Sequence, residues 1–174
     1  MAGCLFAAIF RDTRQRPLRE LDRFNHFPAS PLVALTHVLE GEIRLVAESQ
    51  DIAAALKAAR LPCISVSGPQ HRPLTSWNPG PVFAVTIGFY PEAWSLLTGR
   101  SPDEVADRTE ALTAGPIHDA AIELGKRGAP AECWRAFQDR LEPDWRAVRR
   151  RSALHQWPAV ASLSRPGAHA LYRI

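Results

Sequence analysis

The sequence predicts an α+β fold, with strands first and helices after them. Two period-two runs of apolar residues precede residue 90: Val33, Leu35, His37 and Leu39 share one face, and Phe83, Val85, Ile87 and Phe89 repeat the pattern. After residue 90 the punctuation becomes that of helices, with prolines at first turns and glycine at an end. The 174 residues contain no internal repeat. That length suits one domain, or one domain with a helical appendage, and can bury a core without disulfides or metal.

Leu5 to Phe10 is short and apolar and reads as a first strand; RDTRQRP after it reads as a polar turn. PASP at 28–31 punctuates the chain before the strand over 33–39. Gly41 breaks that run as a hairpin turn does, and Ile43 to Val46 returns. Residues 51–60, DIAAALKAAR, are Ala-rich and closed by Pro62, a small helix. Strand patterning resumes over Pro62 to Val66, gives way to an irregular loop from Ser67 to Pro81, and returns over 82–90.

Pro91 opens a helix that Gly99 ends, and Ser101 with Glu104 forms a capping box. Pro116 to Gly125 is a third short helix. Pro130 opens a fourth, with an apolar stripe of Trp134, Phe137 and Leu141 that continues through Trp145 and Val148 after an interruption at Pro143. The organisation expected is a β-rich segment over 1–90, a helical one over 91–151 and a basic tail or linker over 152–174.

The composition is ordinary for a globular chain, 46% hydrophobic and 22% charged, which argues against wholesale disorder. No apolar run reaches the roughly 20 residues of a membrane span, and the N-terminus lacks the positive charge of a signal peptide, so a cytoplasmic protein without a membrane partner is expected. The net charge of +3 is uneven: residues 91–144 carry 6 basic and 11 acidic side chains, whereas 145–174 carry 6 basic and none acidic. Cys4, Cys63 and Cys133 form no close pair; each reads as a buried small hydrophobe.

No nucleophile elbow, phosphate loop or zinc spacing occurs, so no catalytic residue, metal or cofactor is expected. Six histidines are scattered, with no H-x-H pair of the kind that holds metal inside a small barrel. The loop from Ser67 to Pro81 is the most unusual stretch, setting His71, Arg72, Trp77 and Asn78 among four prolines and two glycines. A rigid loop of this kind suits recognition of a small anion or aromatic ligand, and equally suits a structural cover with Trp77 plugging the core.

Three segments of this region, GPQHRP at Gly68–Pro73, NPGPV at Asn78–Val82 and FYPEAWSLLTG at Phe89–Gly99, follow FNHFPASPLVALTHVLEGE. Together they resemble the N-terminal domain of AraC-type bacterial transcription regulators, over about residues 5–150. The resemblance implies a cupin-like β-rich half that senses an effector or pairs subunits, followed by helices. The residues expected to meet an effector are His37, His71, Arg72, Trp77, Asn78 and Tyr90. Those expected at a homodimer interface are Trp134, Phe137, Leu141 and Trp145, because regulators of this type commonly pair through helices after the sensor barrel. DNA is expected to be reached only through a C-terminal helix-turn-helix reader that this chain does not contain. The alternative is a small metal-binding cupin-type enzyme using His26, His37 or His71.

Overall fold

The computed structural model describes residues 1–16, 18–46, 51–126, 129–151 and 172–173. The fold is α+β, with two sheets. The larger is built from β1 (Leu5–Asp12), β3 (Val33–Glu40), β5 (Ile64–Ser67), β7 (Phe83–Phe89), β8 (Thr109–Ala111) and β9 (Tyr172–Arg173). The smaller contains β2 (Phe24–Phe27), β4 (Arg44–Val46) and β6 (Leu74–Trp77). Their strand orders are β8-β5-β3-β7-β1-β9 and β2-β6-β4, antiparallel throughout except for β9, which runs parallel to β1. Four α-helices complete the described residues: α1 (Ile52–Lys57), α2 (Pro91–Thr98), α3 (Pro116–Leu124) and α4 (Pro130–Arg151). The basic tail expected over 152–174 lies outside them apart from Tyr172 and Arg173.

β7 occupies the middle of the larger sheet, with Ile87 opposite Leu35 of β3 and Ala8 of β1. Its odd positions, Phe83, Val85, Ile87 and Phe89, are all buried and join Val33 and Leu35 in the main core. That core lies between the larger sheet and the helices. Ala93, Trp94 and Leu97 of α2, Ile117 and Leu124 of α3, and Phe137 and Leu141 of α4 complete it. Phe137 meets Phe89 edge-on, with ring centroids 6.4 Å apart, and stacks with Trp134 at 6.0 Å.

The helix signals act as the sequence indicates. Pro91 stands in the first turn of α2 and Gly99 closes it in the left-handed conformation, φ 72°. Ser101 and Glu104 form their capping box, around a single 3₁₀ turn at Pro102–Val105. Pro143 does not interrupt α4, which continues for 22 residues. Pro143 and Asp139, whose carbonyl loses its donor, both lie on the exposed face of the helix, where solvation lowers the cost of the lost bond.

Other expectations need correction. Gly41 does not turn a hairpin: β3 pairs with β5 and β7, while β4 pairs with β6 in the other sheet. Gly41 is the corner where the chain changes sheets. Its φ is 87°, and a Cβ there would lie 2.3 Å from the Pro81 carbonyl oxygen. The supposed loop from Ser67 to Pro81 contains β6, the central strand of the smaller sheet, because Leu74–Trp77 is free of proline between Pro73 and Pro79. β2 and β8 carried no sequence assignment. Cys63 is exposed in the turn before β5, whereas Cys4 and Cys133 are buried.

The corner sets a testable cost. Gly41→Ala combines an unfavourable φ with a backbone clash and should destabilise the chain by about 1–3 kcal/mol. Gly80→Ala is the control, since a Cβ at Gly80 meets nothing within 4 Å. Chemical denaturation of the two variants alongside the parent protein reads the difference.

Candidate functional site

The face of the larger sheet turned away from the helices carries small side chains. Ala34 and Thr36 of β3, Thr86 and Gly88 of β7, Ala7 and Ile9 of β1 and Ser67 of β5 all line one cavity of about 280 Å³. The smaller sheet closes the opposite side with Phe27, Leu45, Leu74 and Ser76. Along the same face Val38 and Ala84 pack with Ile43, Leu61 and Val82 into a small second core. The space exists because alanine, threonine, serine and glycine on one sheet do not reach the other; stacked sheets sit roughly 10 Å apart.

Every residue lining this cavity is uncharged. Its polar side chains already have hydrogen-bond partners, some within the lining and some just behind it. Thr36 and Thr86 share a hydroxyl–hydroxyl hydrogen bond of 3.1 Å, and Ser67 pairs with Thr109 at 2.8 Å. Gln70 Nε2 donates to the Gly68 carbonyl at 2.9 Å, and Ser30 Oγ accepts the Leu32 N–H at 3.2 Å. The Thr36–Thr86 bond uses one of two hydroxyl hydrogens, and the Ser30 hydroxyl, which accepts, keeps its own, so a few neutral donors remain for a guest. The chemistry of the cavity is therefore that of a neutral, mainly apolar molecule with at most a polar handle.

The six residues expected at an effector site are dispersed, and none lines this cavity. His37 projects to the helix side of β3, is 6% exposed, and has an Nδ1 with no hydrogen-bond partner. The end of α3 abuts it, for a Cβ on Gly125 would lie 3.3 Å from His37 Cε1. His71 is exposed and is held by Asp107, whose carboxylate accepts its backbone N–H and meets its Nδ1, each at 2.8 Å. Those contacts hold the Asp107 carboxyl below its usual range. Arg72 beside it is exposed.

Trp77 is buried on the outer face of the smaller sheet with Phe24 and Ala55, and donates from Nε1 to the Glu20 carbonyl at 3.2 Å. Asn78, also buried, bridges Asn25 Nδ2 and the Glu42 carbonyl. Tyr90 does not line the cavity, but its ring contacts that of Phe6, which does, edge-on at 6.1 Å. Thr36, Thr86, Ser67 and Gly88, which do line it, carry no motif that marks them in the sequence. Their signal was present as the small alternate positions of strands recognised by their large ones.

The three histidines of the metal-enzyme alternative stand in different places. His26 on β2 bonds Thr75, His37 lies under the helices and His71 is in the loop before β6. Among the described residues no three of histidine, cysteine, aspartate and glutamate are grouped as a metal site requires. None of their helices is long and apolar enough to cross a membrane. The expected dimer stripe is internal: Phe137 and Leu141 are fully buried, and Trp134 and Trp145 are 8% and 5% exposed. Compared with known proteins, the chain matches no family model, and no curated sequence matches it significantly.

His37 makes stability pH-dependent. Burial pushes its pKa below the ordinary histidine value, partly opposed by the Ala121 backbone, with nearby His118 adding to the depression. The unfolded chain then takes up the proton first. Stability is full above about pH 6.5 and declines as pH falls from there toward the depressed folded value. His37→Leu should flatten this acid limb, which denaturation midpoints measured between about pH 8 and pH 5 will show.

Proposed function

We propose that this chain is an effector-sensing domain that takes a small, neutral, mainly apolar molecule between its two sheets and performs no chemistry on it. The observation that carries the reading is the cavity of about 280 Å³ with an entirely uncharged lining. A space that size is near the lower end of small-molecule sites, roughly 300–1,000 Å³, and larger than one that holds a single benzene ring. One or two fused rings, or a compact branched chain, match it.

Two sheets facing each other around a ligand space support a cupin-like description. The likeness of Gly68–Pro73, Asn78–Val82 and Phe89–Gly99 to the N-terminal domain of AraC-type transcription regulators supports a sensory role in the cytoplasm. In that reading the output to DNA belongs to a reader outside this chain. Ligand entry would be felt by β3 and β7, which carry the cavity on one face and the helices on the other.

Titration with indole and with naphthalene, followed by intrinsic fluorescence and thermal melting, tests the reading. The parent protein should bind one equivalent and melt higher with ligand. Ala34→Leu places a larger side chain in the cavity; it should abolish binding while changing stability by no more than about 1–2 kcal/mol. Binding that survives Ala34→Leu unchanged contradicts the site.

A further inference from the structure

A second cavity, of about 180 Å³, is lined by Arg11, Thr13, Arg16, Leu18, Arg23, Asn78, Gly80 and Pro81. Three arginines converge there, and no carboxylate lines it among the described residues. The segment from Arg11 to Arg23 also contains Arg14 and Arg19, and these two hold its aspartates. Arg14 pairs with Asp12 at 2.8 Å and Arg19 with Asp22 at 2.8 Å. Neither aspartate lines the cavity.

Arg11 is the most telling of the three. It is half-buried on β1, two residues beyond Ile9 of the inter-sheet cavity, and its Nε is buried without a hydrogen-bond partner. Burial also pushes its pKa down from the ordinary arginine value, with no neighbouring acid to offset it. Arg23 is positioned by two carbonyls, donating from Nη1 to Pro79 at 2.7 Å and from Nε to Leu18 at 3.1 Å. That leaves part of its fork of five donors unused. Arg16 is exposed at the rim. A desolvated guanidinium is costly without an anion, and arginine forks match the geometry of phosphate and carboxylate oxygens.

We propose that Arg11, Arg23 and Arg16 form an oxyanion-binding site for the phosphate or carboxylate group of a small molecule. Arg11 supplies the buried donor, Arg23 a donor fixed by the Pro79 and Leu18 carbonyls, and Arg16 an adjustable arm. The enclosure by Leu18, Gly80 and Pro81 admits a small head group. This inference stands independently of what fills the inter-sheet cavity.

Isothermal titration of the full chain with inorganic phosphate and, separately, with acetate tests it, with ionic strength held constant by chloride. One of the two should bind with a single equivalent, and which one binds more tightly identifies the head group. Arg11→Gln should weaken that binding about tenfold or more, as loss of a charge-assisted pair does, and Arg16→Gln by a smaller factor. In chloride alone Arg11→Gln should melt no lower than the parent protein, since it removes a half-buried charge with no acid beside it. If Arg11→Gln does not fold, the exposed Arg16→Gln decides in the same way. No heat with either anion at millimolar concentration, or affinities unchanged in the variants, overturns the proposal.

Discussion

The alternation of large and small side chains along β7 is the constraint on which the rest of the structure depends. Phe83, Val85, Ile87 and Phe89 point to one side, and Ala84, Thr86 and Gly88 to the other. β3 repeats this with Val33 and Leu35 against Ala34 and Thr36. Because adjacent antiparallel strands keep paired residues on one face, the two strands together make one bulky and one sparse surface. The bulky surface requires α2, α3 and α4 as a cover, since a sheet face of that area left in water would forfeit the main source of folding free energy. The sparse surface cannot be filled by the short strands β2, β4 and β6 laid over it. The packed core and the cavity are thus two results of one pattern.

The same pattern separates stability from recognition. The aromatic stripe of α4 belongs to the packed side, where Phe137 meets Phe89 and Trp134 stacks on Phe137. α4 is further tied to α3 through Arg140 and Asp119 at 3.0 Å. On the other side β1 passes from an apolar environment at Ile9 to a cationic one at Arg11 within a single strand repeat. The neutral and the anion-seeking spaces therefore share a strand but differ in chemistry.

The large-residue faces were legible because burial of one face gives a period of two. The helix ends were legible because Pro91, Gly99 and the Ser101–Glu104 box have local physical causes. β2 and β6 were obscured because four-residue strands flanked by Pro28, Pro73 and Pro79 show too few alternations against strong turn signals. The role of Gly41 was half legible: a break was evident, but its direction depends on Pro81, 40 positions away in the chain. Aromatic and charged side chains stand out in a sequence as ligand candidates, whereas the cavity is made by the absence of bulk at Ala34, Thr36, Thr86 and Gly88. Periodic hydrophobicity does not report an absence. The arginine site was hidden differently: Arg11, Arg14, Arg16, Arg19 and Arg23 look alike in sequence. Only folding reveals that Asp12 and Asp22 serve the second and fourth.

A crystal structure determined under xenon pressure tests the central claim most directly, because xenon enters apolar space that side chains leave open and avoids space they fill. The account predicts xenon between the sheets, in contact with Thr36, Thr86, Gly88 and Leu74, and none beneath α4 around Phe89 and Phe137. Xenon under α4 with none between the sheets would contradict it, since the filled and unfilled faces of the sheet would then be reversed.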